Sequence, residues 1–263
     1  MTSRERAVAF LRETYRHRVD RVEPYPWGEL VVTPSLPRVY DANFALVDRW
    51  DGDVTELCRE LDCVQGEHDF AHRKVIVHDE ELAARLWAAL DQLDWPLRSR
   101  SLLMTQVRPP DRPADASIEV VDIANDAWAD GKQTMSEAEG YDSESEVSRQ
   151  LLDLDRRLGT AMEVRHLAAL VDGKTASYGS LYLDGGVAQI EDVATLPAYR
   201  SRGLSRAVVL HAVAEARRNG ADLIVILADE SDWPKELYRR LGFDSIGVEH
   251  VIGRSAPGDP DAS

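Results

Sequence analysis

AQIEDVATLPAYRSRGLSRAVVLHAVAEARRNGADLIVIL, Ala188 to Leu227, is the stretch on which the fold turns. Ala188–Thr195 reads as a strand. From Gly203 to Arg218 the chain is apolar nearly all round, with Leu204, Ala207, Val208, Leu210, Val213 and Ala214, as a helix packed against a sheet must be. It stops at Arg217-Arg218-Asn219-Gly220: two cations suit the negative end of the helix dipole, and Asn-Gly suits a left-handed cap. Leu223–Leu227 is continuously apolar instead of alternating, so it reads as a strand covered on both faces whose partner across the helix is parallel. The three pieces form a right-handed strand-helix-strand unit.

The loop inside this unit, Tyr199–Val208, carries the chemistry. The first turn of a helix has unpaired N–H groups and the positive end of the dipole, and Gly203 lets a bulky anion approach the backbone, so a pyrophosphate fits there. Arg200, Arg202 and Arg206 add positive charge. Composition alone also allows these arginines to pair with neighbouring carboxylates.

Arg200-Ser201-Arg202-Gly203-Leu204-Ser205 resembles the acetyl-CoA loop of the GCN5-related N-acetyltransferase (GNAT) superfamily, Gln/Arg-x-x-Gly-x-Gly/Ala, with Ser205 departing at the last position. Leu237–Phe243, LYRRLGF, resembles the family's aromatic-Tyr-x-x-x-Gly-Phe signature, with Leu237 in the aromatic place. The resemblance implies a GNAT fold from about Ile118 to Val251, a mixed central sheet flanked by helices, in the α/β (α+β) class. It implies acetyl-CoA as cosubstrate, held by Val193, Ala194, Thr195, Arg200, Ser201, Arg202, Gly203, Leu204, Ser205 and Arg206, with no metal. Tyr238 matches the tyrosine that serves as general acid, and Glu191, nine residues before Arg200, the acid proposed as base in polyamine-type members. Packing under the sheet for Tyr238 and a solvated or ion-paired strand carboxylate for Glu191 are the alternatives. Strand alternation puts Asp192 on the opposite face. The reaction implied is direct attack of an amine on the thioester in a ternary complex, with a backbone N–H of Val193 or Ala194 stabilising the developing oxyanion. Alternatives are an acyl-CoA sensor without turnover and a two-domain acyltransferase of the mycothiol-synthase kind.

The 263 residues suffice for one or two domains. Arg108–Ser117, RPPDRPADAS, reads as a linker with three prolines and places a boundary near Asp115: residues 1–115, 116–255 and a tail 256–263 expected to be disordered. In the first part a helix, Ser3–Tyr15, leads into short strands. A strand-helix-strand-helix-strand series follows, at Asn43–Asp48, Val54–Val64, Arg73–His78, Glu80–Trp95 and Ser101–Val107. This order matches the later portion of the GNAT fold, but nothing like the glycine loop lies between Asp48 and Val54, so the part is read as a smaller degenerate GNAT-like domain, and one cofactor site per chain is expected. The second part adds strands at Ile118–Ile123, Val164–Val171 and Ala176–Leu183, one or two helices within Asn125–Leu158, and a last strand from Phe243.

Acids outnumber Lys plus Arg by 47 to 31, a net charge of −16, and the counts are 21 to 16 up to Asp115 and 26 to 15 beyond. That field repels a phosphate backbone, so nucleic acid is a poor partner. A small-molecule amine, cationic or neutral, is expected as acceptor, and the five acids of Ser136–Glu146 read either as a solvated acidic loop or as a group that attracts it. Trp128 and Tyr141 read either as part of its pocket or as core packing. Two cysteines, Cys58 and Cys63, and the want of a signal-peptide core or an 18-residue apolar run point to the cytoplasm and to no membrane. A monomer or homodimer is expected. His68 and His72 have metal-pair spacing without further ligands and read as a surface loop, and His211 reads as packed on the buried face of its helix.

Overall fold

The computed structural model describes residues 1–90, 92, 95–138, 140 and 142–256. Helix α1 (Ser3–Arg18) starts on a capping box in which the Thr2 hydroxyl accepts from the Glu5 N–H and the Glu5 carboxylate accepts from the Thr2 N–H. Strands β1 (Arg21–Tyr25) and β2 (Gly28–Val32) make an antiparallel pair. Next come β3 (Phe44–Val47), α2 (Val54–Glu67), β4 (Arg73–Val77), α3 (Glu80–Leu90) and β5 (Leu97–Gln106). After residue 115 follow β6 (Val120–Ile123), α4 (Asn125–Ala138), α5 (Glu146–Leu158), β7 (Glu163–Val171), β8 (Lys174–Asp184) and β9 (Val187–Thr195). Then come α6 (Leu204–Arg218), β10 (Leu223–Asp229), α7 (Pro234–Arg240) and β11 (Phe243–Arg254).

The expected order of elements is present. β9 and β10 are parallel, joined through α6, and so are β3 and β4, joined through α2. β10 is covered on both faces: Ile224 and Ile226 lie in one core with Val208, Val209 and Ala212 of α6, while Leu223 and Val225 lie in another with Ala7, Phe10 and Leu11 of α1. That double burial is why Leu223–Leu227 does not alternate.

The order of strands in space differs from their order along the chain. The eleven described strands form one sheet, β1-β2-β3-β4-β11-β5-β10-β9-β8-β7-β6. β5, which precedes residue 115, pairs with β10, and β11, the last of the described strands, pairs with β4; β5 and β11 are antiparallel neighbours from Phe243↔Gln106 to Gly253↔Leu97. Each part is therefore completed by a strand of the other. The approach of β11 to β4 is close, since a Cβ on Gly253 would stand 2.3 Å from the Arg73 carbonyl oxygen. Ile252 of β11 is fully buried in the core built by Leu57 and Leu61 of α2 and Leu86 and Leu90 of α3.

The segment 108–117 has no helix or strand, as expected, but it is docked rather than free: the Asp111 N–H donates to the Arg240 carbonyl at 2.8 Å, and Asp111 pairs with Arg206 at 2.7 Å. The tail's residues 257–263 lie outside the described residues. Among the described residues no helix is long and apolar enough to cross a membrane.

Because each part lacks a sheet strand when separated, fragments 1–115 and 116–263 produced singly should show no cooperative thermal unfolding by circular dichroism, and mixing them should restore a transition. A cooperative melt of fragment 116–263 alone would refute this dependence.

Candidate active site

α1, α2 and α5 each begin on a side chain that accepts a first-turn N–H: Thr2, Asp53 and Ser145. α6 begins on Gly203, in the left-handed region at φ +81°, with no side-chain cap. Its first N–H groups thus face outward with the dipole's positive end, an arrangement that takes an anion. Ser201 is also left-handed, at φ +64°. The nearest described atom to a Cβ built on Gly203 would be 3.9 Å away, at Ile118 Cδ1, so the loop leaves room above the helix.

β9 and β10 pair only from Val187↔Leu223 to Ile190↔Ile226, and then part. Beyond that point the edge of β9 that faced β10 loses its ladder, and a cavity of about 1150 Å³ opens between the strands. Val193, Ala194, Thr195, Arg200, Ser201, Gly203, Leu204, Ser205 and Arg206 all line it, together with Tyr238; Arg202 does not. The guanidinium of Arg202 lies over the Tyr199 ring, 5.5 Å from its centroid. Arg200 Nε donates to the Thr195 carbonyl at 3.2 Å. Arg206 is 6% exposed and donates to Asp111 at 2.7 Å and to the Arg112 carbonyl at 3.0 Å, so it anchors the 108–117 segment against the loop. Ser205 has a use for its hydroxyl: its Oγ is 2.6 Å from Thr195 Oγ1, which donates to Ser177 Oγ at 2.8 Å, which donates to the Ala194 carbonyl at 2.6 Å. This chain ties the start of α6 to β9 and β8.

The parting of the strands coincides with a bulge. Ser180 opposes Glu191 and Tyr178 opposes Ala194, so Asp192 and Val193 together face Gly179. Asp192 takes φ +55°, a conformation that Asp tolerates better than bulkier residues. The expectation that alternation sends Asp192 to the face opposite Glu191 is wrong here, because the bulge breaks the period of two. Asp192 and Glu191 line the same cavities. Lys132 of α4 donates to Asp192 at 3.1 Å and to Asp155 of α5 at 2.7 Å. Burial works against the Lys132 ammonium, but the two carboxylates outweigh it and raise its pKa.

A second cavity, about 320 Å³, lies on the other side of Glu191 and Asp192. Its walls come from both parts of the chain: Tyr15, Arg18, Phe44 and Lys74 before residue 115, Lys132, Asp155, Tyr182 and Glu249 after it. Glu191, Asp192 and Leu227 line both cavities and form the partition between them. Burial, and next the charge of Asp192, push the Glu191 carboxyl up to about 7, against the opposing pull of Arg18 and a hydrogen bond from Gln189. Tyr238 is 6% exposed, and burial, with Glu191 and Asp232 adding negative charge, raises its hydroxyl's pKa and keeps it protonated.

Other singled-out residues fall elsewhere. Trp128 is buried, stacked on His166 at 4.2 Å with the Lys132 ammonium 4.9 Å from its ring centroid, and lines neither cavity. Tyr141 lies outside the described residues. From the run 136–146, Ser136 and Ser143 reach the smaller cavity, while Glu137, Asp142, Glu144 and Glu146 are exposed. The cavity's carboxylates come instead from Asp41, Asp155, Glu191, Asp192 and Glu249, which no local sequence pattern unites. His72 is fully buried rather than on a surface loop, donating from Nε2 to the Asn43 carbonyl at 2.7 Å, and His68 pairs with Glu23 at 3.1 Å. His211 is partly exposed, 3.5 Å from Glu215, and is not on the buried face of α6.

Residues 122–243 match the family model described as Acetyltransferase (GNAT) family. That segment is a GNAT acetyltransferase domain. No curated protein sequence matches the chain. Among solved structures, the chain resembles a GCN5-related N-acetyltransferase from Kribbella flavida, with a TM-score of 0.67 at 17% identity over 100% of this chain and 98% of that one. It also resembles a GCN5-related N-acetyltransferase from Sphaerobacter thermophilus, with a TM-score of 0.59 at 14% identity over 86% and 79%. A third is a tandem GNAT protein from the clavulanic acid biosynthesis pathway, with a TM-score of 0.54 at 18% identity over 78% and 70%. The fold is that of the GNAT proteins, tandem members included.

Gly203→Val should weaken acetyl-CoA binding more than tenfold by titration calorimetry. The side chain enters the space above the α6 N-terminus, and the left-handed backbone costs a β-branched residue about 1–2 kcal/mol. Unchanged affinity would show that the phosphates bind elsewhere.

Proposed function

We propose that the protein transfers an acetyl group from acetyl-CoA to the nitrogen of a small amine, with the cosubstrate in the larger cavity and the acceptor in the smaller. The observation that carries this reading is the partition: Glu191 and Asp192 line both cavities, so a nucleophile on one side and an acyl donor on the other would meet at these carboxylates. The site fits the cosubstrate, since an uncapped helix start suits its pyrophosphate and the parted strands leave an open backbone edge beside it. When bound, acetyl-CoA supplies an acetyl group activated as a thioester. Gly203–Arg206 would hold its phosphates, and the edge of β9 at Val193–Thr195 would offer N–H donors to its acyl arm.

The chain's own residues handle protons. An amine of ordinary basicity, pKa about 10, is almost wholly protonated at neutral pH and cannot attack until it loses one. Glu191 accepts that proton: a carboxyl whose pKa is about 7 is half ionised at neutral pH and is a stronger base than an ordinary carboxylate. Tyr238, held protonated in the larger cavity, donates to the departing thiolate. Lys132 keeps Asp192 beside Glu191 and so sustains the raised pKa.

The pH profile has a definite sign. A base must be ionised to work, so kcat/KM should rise with pH through about 7 and level above it. Glu191→Gln should lower the rate by about 10² to 10⁴ near pH 7, with partial recovery at high pH where free amine is abundant, and leave acetyl-CoA affinity unchanged. The folded pKa lies above the unfolded one, so the protonated carboxyl's contribution to stability is present below about 4.5 and lost as pH rises through about 7. Glu191→Gln should accordingly raise Tm at pH 8 and have less effect at pH 5. A flat pH–rate profile between 6 and 8 would remove Glu191 from the role.

Tyr238→Phe keeps the ring and loses the hydroxyl, so turnover should fall by about 10² or more with cosubstrate affinity intact and without the alkaline recovery of the Glu191 variant. Wild-type turnover in this variant would leave the tyrosine a packing residue.

A further inference from the structure

The smaller cavity contains three cations, and two have close partners of their own. Lys132 is held by Asp155 and Asp192, and Lys74 is paired with Asp41. Arg18, the last residue of α1, differs. Its Nε donates back to the Thr14 carbonyl at 3.1 Å, and its Nη1 stands 3.9 Å from Asp155, outside hydrogen-bond reach of a carboxylate that Lys132 already holds at 2.7 Å. Among the described residues no hydrogen bond is made by its terminal nitrogens, although the side chain is only 15% exposed and lines the cavity. A guanidinium enclosed in a cavity with its forked donors unspent is set up to take a planar anion in two parallel hydrogen bonds.

The surroundings narrow the class. The cavity counts five carboxylates against three cations, which favours a cationic group and opposes a doubly charged phosphate, while an acceptor bringing only positive charge leaves the fork of Arg18 unfilled. A zwitterion brings one charge of each sign. Part of the remaining wall is apolar, from Phe44, Ile76, Leu151, Leu154 and Leu227, beside the polar side chains of Gln133, Ser136, Ser143, Ser148 and Gln189. Resting on the acetyl-transfer reading above, we propose that the acceptor is an amino-carboxylate with an apolar body, its carboxylate taken by Arg18 and its amine presented to Glu191. Arg18 then determines specificity. The part of the chain before residue 115, which has no glycine loop of its own, supplies through α1 the group that selects the acceptor.

The test is a matrix of acceptors and variants, read by release of free CoA thiol. Leucine, methionine and phenylalanine are compared with the amines that lack only the carboxylate, 3-methylbutylamine, 3-(methylthio)propylamine and 2-phenylethylamine, in wild type, Arg18→Lys and Arg18→Met. A charged, bidentate hydrogen bond predicts a wild-type preference in kcat/KM of about 30-fold for the amino acid over its decarboxylated partner. That ratio should fall below about threefold in Arg18→Met and be intermediate in Arg18→Lys, with the KM for acetyl-CoA the same in all three. A merely structural arginine would scale both members of each pair together and leave the ratio as it was, and that result overturns the assignment. So does equal use of amino acids and decarboxylated amines by the wild type, which leaves acetyl transfer standing. Titration of acetyl-CoA separates the remaining cases. Binding without turnover of any acceptor on the panel overturns the amino-carboxylate class alone, and failure to bind acetyl-CoA overturns the acetyl-transfer reading with it.

Discussion

β5 and β11 lie side by side in the middle of the sheet, and each belongs by sequence to the part of the chain it does not complete. Their antiparallel ladder, running from Phe243↔Gln106 to Gly253↔Leu97, is a continuous row of backbone hydrogen bonds across the junction. Two domains joined by side-chain contacts alone can hinge, whereas two that share a sheet cannot separate without breaking that row. α1 strengthens the join. It precedes β1 in sequence, yet Ala7, Phe10 and Leu11 pack on Leu223 and Val225 of β10 and Leu103 of β5. The smaller cavity depends on this, because its walls are Tyr15, Arg18 and Phe44 on one side and Asp155, Tyr182 and Glu191 on the other.

A second constraint is electrostatic. The bulge in β9 turns Asp192 so that it lines the same cavity as Glu191, and two carboxylates in a partly buried site cannot both ionise freely. Lys132 holds Asp192 in place by a 3.1 Å hydrogen bond, and Arg18 pulls against the raised pKa of Glu191. What remains is one carboxyl with a pKa near neutrality, which an isolated glutamate on a regular strand would not have. The same desolvation that would sharpen Glu191 as a base lowers the stability of the folded state once it ionises, a trade-off of function against stability.

Much of the fold was legible in the chain. The α6 pattern, its Arg217-Arg218-Asn219-Gly220 ending and the unbroken apolar run after it describe local propensities and periods, which survive folding when the tertiary context agrees with them. Gly203 was legible as a place where an anion can approach the backbone, and the structure adds that it takes the left-handed region open to glycine. Of the ten residues expected around the cosubstrate, nine line the larger cavity; Arg202 stacks on Tyr199 instead, and Arg206 spends its guanidinium on Asp111. A spacing pattern places residues on a loop but does not say where long side chains will find partners.

The sequence by itself determined the order of elements, the parallel pairing of β9 with β10, the glycine loop and the candidacy of Glu191 and Tyr238, because each is a matter of neighbours along the chain. The tertiary structure alone decided that β5 and β11 exchange, that Asp192 faces the same cavities as Glu191, and that Arg18, Asp41, Phe44 and Glu249 meet around one of them. These residues come from α1, a turn, β3 and β11, more than two hundred positions apart at the extremes, and no periodicity links them. Strand pairing across such a separation is chosen by burial of the whole sheet, a property no local window of sequence contains.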